Sequence, residues 1–141
     1  MTAALQVFAG PRARARLRER GLAAADVRVV PAAAGGPKGL VLNPLDRFIF
    51  GHWLAASTQP VHLLGASIGA WRMASACLDD PDQAFAQLAS DYIAQDYPHA
   101  PGKAPAAGAV SRIFGAKLEQ RFGDRGAARR CCSIRATACM Y

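Results

Sequence analysis

A serine flanked by two glycines stands near the middle of the chain. Residues 65–69 read Gly-Ala-Ser-Ile-Gly, which is the pattern G-x-S-x-G. A serine in this pattern is presented for nucleophilic attack when it lies at a sharp turn from a strand into a helix. Gly65 and Gly69 carry no Cβ, so they tolerate the crowded backbone of such a turn. We therefore predict Ser67 as a catalytic nucleophile, with Gly65 and Gly69 as the glycines of a nucleophile elbow.

A second glycine cluster, Gly-Gly-Pro-Lys-Gly, occupies residues 35–39. It is not a phosphate-binding P-loop, because G-x-x-x-x-G-K-[ST] is absent, and Ala34 replaces the first glycine of a dinucleotide-binding G-x-G-x-x-G. Free backbone N–H groups here could bind the oxygen of a carbonyl that Ser67 attacks. We predict an oxyanion hole, with a purely structural turn as the alternative. Its members are Gly35, Gly36, Lys38 and Gly39.

The segments around these two loops predict the elements that position them. A strand is expected from Asp26 to Val30, extended by residues 31–34, and a second from Val61 to Leu64. Helical spacing of apolar residues predicts helices over residues 40–56 and 68–78. Asn43-Pro44 is expected to break the first of these helices near its start. This order gives a right-handed βαβ unit, in which both loops lie at the carboxyl edge of a parallel sheet.

Further helices are expected over residues 81–97 and 110–122, joined by an Ala/Pro/Gly loop at 98–108. Asp80 precedes Pro81 and is expected to cap the first of these helices. Cys77 is expected to be a small core residue.

The two motifs, in this order and spaced by one helix and one strand, resemble the bacterial patatin-like phospholipase family. The resemblance implies an α/β fold, a three-layer sandwich around a mainly parallel sheet. It also implies hydrolysis of acyl esters of lipids by a Ser–Asp dyad. The family's G-G-x-[KR]-G oxyanion loop corresponds to Gly35, Gly36, Lys38 and Gly39, and its nucleophile corresponds to Ser67. The motifs cover residues 25–75, and globular character continues to Phe122.

The chain departs from the family pattern at two places. Ala33 and Ala34 stand where the plant-like loop begins Asp-Gly. The family's dyad aspartate lies in a later Asp-Gly motif, and no Asp-Gly occurs anywhere in this chain. None of the aspartates that follow Ser67 inherits the role: Asp79, Asp80, Asp82, Asp91, Asp96, Asp124. We therefore expect a nearly inactive hydrolase, truncated within its domain by a premature stop or frame change.

Two other function classes remain open. A Ser–His acyltransferase or a common α/β-hydrolase would need a histidine after the serine, and only His99 follows Ser67. A non-catalytic remnant that keeps half of the fold is the non-enzyme alternative. His52 and His62 are expected to be packed or surface residues.

The charge distribution divides the chain into three parts. The net charge is +7, but residues 11–20 and residues 121–141 each hold five arginines and one acid. We therefore predict a basic helical segment at 1–24, with a helix that begins at Pro11 and ends before Gly21, and a divergent Arg/Cys-rich tail at 123–141. For residues 25–122 between them, the resemblance implies the N-terminal portion of a patatin-like acyl hydrolase domain. Because the middle is nearly neutral and lacks a nucleic-acid-binding signature, we expect no nucleic acid partner.

Several further classes are disfavoured by the sequence. The cysteines lack C-x-x-C spacing, so neither a metal nor another cofactor is expected. No apolar run has the length of a membrane span, and no secretory signal precedes the first arginines, so the expected location is cytoplasmic. The expected partner is a lipid or acyl-ester substrate, with possible peripheral contact to a membrane surface. The oligomeric state is left open.

Overall fold

A pair of short parallel strands lies beneath both predicted loops. The computed structural model describes residues 6–123. Strand β1 is Val29–Ala32 and strand β2 is His62–Gly65. They pair in parallel, with Val30 opposite Leu63 and Ala32 opposite Gly65. The prediction of two neighbouring parallel strands is confirmed. Strand β1 begins later than expected because residues 24–26 form a 3₁₀ turn.

The segment between the strands is helical but irregular. It begins as a 3₁₀ helix, Gly36–Leu42, and continues as helix α2, Asn43–Phe48. A π-helical stretch, Ile49–Trp53, and a 3₁₀ turn, Leu54–Ala56, complete it. The helical segment predicted over 40–56 is thus present and changes its winding at the expected Asn43-Pro44, but its π-helical and final 3₁₀ parts were not predicted. The change of winding at residue 43 accords with Pro44, because proline fits the first turn of a helix and not its interior. The π stretch has no explanation in the sequence.

Three helices follow β2. Helix α3 is Ile68–Ser75, helix α4 is Pro81–Ile93 and helix α5 is Ala107–Phe122. The Asp80 carboxylate accepts a hydrogen bond of 3.0 Å from the Gln83 N–H, which confirms the predicted cap of α4. Helix α4 ends four residues before the predicted Tyr97, so Asp96 lies beyond the helix rather than on it.

The core forms where α3, α4 and the helical segment between the strands pack on one face of the strand pair. Phe50, Leu63, Met73 and Phe85 are buried together, and the rings of Phe50 and Phe85 stack with centroids 5.6 Å apart. Cys77 lies in the same cluster, as predicted. On the opposite face of the sheet, Val29 is 48% exposed and Leu64 is 43% exposed. The described chain is thus an α/β arrangement, and the third layer stays a prediction.

The basic segment forms a helix that stands apart from this core. Helix α1, Pro11–Arg20, begins at the predicted proline, ends before the predicted Gly21 and buries no residue. Arg16 and Arg20 pair with Asp26. A hydrogen bond from the Ala23 N–H, followed by one from Arg20, lowers the pKa of Asp26 below its usual value. The tail predicted for 123–141 lies, beyond Gly123, outside the described residues.

Candidate active site

Ser67 occupies a strained turn between β2 and α3. Its backbone angles are φ 55° and ψ −126°, and among residues 6–123 it is the only non-glycine residue with positive φ. Such a conformation costs about 1–3 kcal/mol and persists only where surrounding structure imposes it. Ser67 is exposed at the first turn of α3. The strand–turn–helix context that a nucleophile elbow requires is therefore present.

The two flanking glycines are required by close contact between backbones. A Cβ added at Gly65 would lie 2.5 Å from the backbone nitrogen of Ala70. A Cβ added at Gly69 would overlap the carbonyl oxygen of Ala32, at the end of β1. The Ala66 N–H also donates to the Ala32 carbonyl over 3.1 Å. The turn is thus held against the neighbouring strand, and side chains larger than hydrogen are excluded at both positions.

The glycine cluster at 35–39 lies beside this turn. Gly39 is buried, and a Cβ added there would lie 2.9 Å from the Cγ2 atom of Ile68, the residue after the serine. Gly36 has a φ of 52°, in the left-handed region that favours glycine. The structure therefore brings the predicted oxyanion loop against the first residue of α3.

The backbone donors of this cluster differ in their availability. The Lys38 N–H is directed to the Gly35 carbonyl over 3.3 Å and so takes part in a turn. Within the described part of the chain, the N–H groups of Gly35 and Gly36 donate to no protein acceptor. These two groups are the ones free to bind an oxyanion. The Lys38 side chain is exposed and contributes positive charge next to the loop.

A buried ion pair fixes the two helices that follow these loops. Arg72 of α3 donates to both carboxylate oxygens of Asp46 of α2, over 2.6 Å and 2.7 Å. Asp46 is 4% exposed and Arg72 is 8% exposed. Since each helix begins next to one loop, this bidentate pair sets the position of the glycine cluster relative to Ser67. Sequence reasoning missed it. The available signal was Asp46, a charged residue one helical turn from the core residue Phe50.

Ser67 also lines a cavity that the sequence did not predict. Its volume is about 150 Å³. Its lining includes Ile68 and Trp71 of α3, Leu88 of α4 and Phe114 of α5. The rings of Trp71 and Phe114 meet edge to face with centroids 4.6 Å apart. A small, largely apolar space therefore opens directly beside the candidate nucleophile.

Asp91 is the carboxylate that lines the same cavity. Its Oδ1 accepts a hydrogen bond from Gln87 over 2.7 Å, and its Oδ2 pairs with Arg121. Burial acts to raise the pKa of Asp91, but the hydrogen bonds from Gln87 and Arg121 outweigh it, and the pKa falls below its usual value. A carboxylate with a lowered pKa and both oxygens occupied is a weak general base.

No described group is placed to activate the serine. Within residues 6–123, the Ser67 hydroxyl has no hydrogen bond to a carboxylate or an imidazole. The exposed His99 ring places Nδ1 2.7 Å from the Tyr97 carbonyl and does not line the cavity. His52 and His62 are both exposed. The structure thus brings together Ser67 and the glycine cluster, and leaves the base without a candidate in the described chain.

Neither a metal site nor a membrane span is found in the described chain. Over residues 6–123, no group of histidine, cysteine and acidic side chains lies close enough to hold a metal ion. In the same range, no helix combines the length and apolar character needed to cross a bilayer.

Comparison with known proteins finds no match to this chain. No family model, no curated protein and no solved structure matches the chain. What the site can do must therefore be argued from its geometry.

Proposed function

We propose that the chain is a serine acyl hydrolase of patatin-like type, acting on carboxylic esters of lipids. Ser67 is the nucleophile, and the loop Gly35–Gly39 is the oxyanion hole. The observation that carries the proposal is the backbone of Ser67. A positive φ on a serine, enforced by two glycines that no other residue can replace, is the geometry of a nucleophile elbow.

The proposed reaction begins with attack of the Ser67 Oγ on the ester carbonyl carbon. The carbonyl electrons move to oxygen, and the resulting oxyanion accepts hydrogen bonds from the free N–H groups of Gly35 and Gly36. Collapse of the tetrahedral intermediate expels the alcohol, which takes up the serine proton, and leaves an acyl-enzyme. Water then attacks the acyl carbonyl and releases the acid and the free serine.

The missing step is removal of the serine proton. A positioned general base contributes about 10²–10⁴-fold to such reactions, and none contacts Ser67 within the described residues. The N-terminus of α3 favours a developing alkoxide but does not accept its proton. We therefore propose that hydrolysis by this chain is slow, and that acylation of Ser67 is easier to detect than turnover.

A covalent probe tests the nucleophile directly. The protein is incubated with a fluorophosphonate, and the site of modification is located by peptide mass spectrometry. We expect modification at Ser67 and its loss in Ser67→Ala. The matched control is Ser90→Ala, which changes an exposed serine of α4 and should leave labelling intact. Equal labelling of Ser67→Ala would reject the assigned nucleophile, and an unreactive wild-type chain would favour the non-catalytic alternative.

A further inference from the structure

The cavity beside Ser67 has a size that restricts what it can hold. An apolar protein cavity of about 150 Å³ holds one benzene molecule, which has six carbon atoms. The cavity lined by Ser67 has about this volume. The cavity is open to solvent on one side, so a hexanoyl group approaches the upper limit of an acyl chain that it can enclose without rearrangement.

Packing of its walls opposes enlargement of the cavity. Trp71 contacts Phe114 at 4.6 Å and Phe122 at 6.2 Å between ring centroids, in both cases edge to face. Such aromatic pairs contribute about 0.5–1.5 kcal/mol beyond the area they bury. Leu88 is 3% exposed and is held in the helix packing. A longer acyl chain would have to displace these side chains or leave its end in water.

The polar end of the cavity is held by contacts within the protein. Lys117 donates to the backbone carbonyl of Asp91 over 3.2 Å. Arg121 pairs with the Asp91 carboxylate and donates to the Ala84 carbonyl over 3.1 Å. These contacts tie α5 to α4 at the end of the cavity, so this end also resists enlargement by a longer acyl chain.

We infer that this cavity is the acyl pocket of the enzyme and that it encloses the acyl group of the ester only up to about six carbons. The inference rests on the proposed function, because it assigns the pocket to the group transferred to Ser67. It adds the chain-length limit and the residues that set it, Trp71 and Phe114.

A chain-length series of probes tests the limit. Fluorophosphonates with ethyl, butyl, hexyl, octyl and dodecyl groups on phosphorus, and the same leaving group, are compared by the rate at which they modify Ser67. Each buried CH₂ should raise the rate about fourfold. We expect this rise up to six carbons and no further rise beyond them, so the dodecyl probe should react no faster than the hexyl probe. A dodecyl rate well above the hexyl rate would overturn the limit.

Removing one wall should shift the limit in a predictable direction. In Phe114→Ala, the octyl and dodecyl probes should react about tenfold faster relative to the hexyl probe than in the wild type. The matched control is Phe48→Ala, which removes an exposed ring of α2 outside the cavity and should leave the ratio unchanged. Phe114→Leu serves if the alanine variant does not fold. An unchanged ratio in the folded Phe114 variant would show that this residue does not set the limit.

The two proposals can fail separately. Labelling of Ser67 that is independent of chain length keeps the nucleophile and rejects the pocket. If no probe labels Ser67, the proposed function is rejected, and the pocket is then decided by calorimetric titration of Ser67→Ala with hexanamide and dodecanamide. Binding of dodecanamide that is no tighter than that of hexanamide would support the size limit, whereas clearly tighter binding of dodecanamide would overturn it.

Discussion

The two walls of the candidate site are held in different ways. On one side, β1, β2 and α3 approach so closely that glycine is required at residues 65 and 69, and the buried ion pair between Asp46 and Arg72 ties α3 to α2. On the other side, α5 buries no residue completely and contacts the rest through aromatic edges and the Arg121–Asp91 pair. Ser67 is therefore fixed by backbone packing, whereas the opposite cavity wall is held by side chains that substitution can adjust.

The largest expected effect is on the buried ion pair. Asp46→Ala leaves the Arg72 guanidinium buried without its partner, which should lower the free energy of unfolding by about 3–5 kcal/mol. The matched control is Asp82→Ala. It breaks the more exposed Arg47–Asp82 pair, whose side chains are 43% and 38% exposed, and should cost far less because water screens the pair. Urea denaturation of the three proteins measures the difference. Similar costs for the two variants would contradict a special role for the buried pair.

The next effect compares two glycine-to-alanine substitutions. In Gly69→Ala the new methyl group overlaps the Ala32 carbonyl oxygen, and we expect a loss of about 3 kcal/mol because backbone cannot move aside cheaply. In Gly115→Ala, on α5, the methyl group meets nothing within 4 Å. That variant should gain up to about 1 kcal/mol from helix propensity. Chemical denaturation of both variants tests the contrast, and a tolerated Gly69→Ala would show that the turn can open.

A smaller effect is expected at the ion pair that holds α5. Arg121→Met keeps much of the apolar packing but removes the contacts to Asp91 and Ala84. We expect amide hydrogens in α5 to exchange about tenfold faster, which corresponds to about 1.4 kcal/mol of local stability, with those of α3 unchanged. Arg112→Met, at an exposed position of the same helix, is the control. Faster exchange in both helices would mean that the two walls unfold together.

The smallest effect is the pH dependence of stability. Hydrogen bonds from Arg47 lower the pKa of Asp82. For Asp91, burial opposes the decrease, but the hydrogen bonds from Gln87 and Arg121 exceed it. A carboxylate whose folded pKa is lowered stabilises the fold above its unfolded pKa of about 3.9, and this contribution is lost as the pH falls through the folded value. Stability should therefore decrease below about pH 4, and less steeply in Asp91→Asn. An unchanged acid slope in that variant would exclude Asp91 as a contributor.

The sequence predicted those features that depend on neighbouring residues. Pro11 and Gly21 located α1, and Asp80 located the start of α4. The spacing of Gly65, Ser67 and Gly69 predicted the turn that the structure shows. These signals are local because caps, turns and glycine conformations are decided within a few residues along the chain.

The features that the sequence did not predict depend on distant residues. Asp46 and Arg72 are 26 positions apart in the sequence, and Arg121 and Asp91 are 30 positions apart. Neither pair has a spacing that a single element would reveal. The cavity was missed for the same reason, since its walls come from three helices whose packing angles no periodicity encodes. The predicted helix 40–56 was too regular, and the predicted helix 81–97 was too long. Apolar spacing along the chain does not reveal where tertiary packing changes or ends a helix.

At residue 67, the residue that would stabilise the fold differs from the residue that the proposed chemistry needs. Glycine would adopt a φ of 55° without the strain that a serine incurs there, so a substitution that removes the hydroxyl also removes an unfavourable term. A library selected only for heat resistance should therefore enrich glycine at residue 67, whereas a library selected for covalent labelling should retain serine. Selection for stability and selection for labelling should therefore favour different residues at this one position.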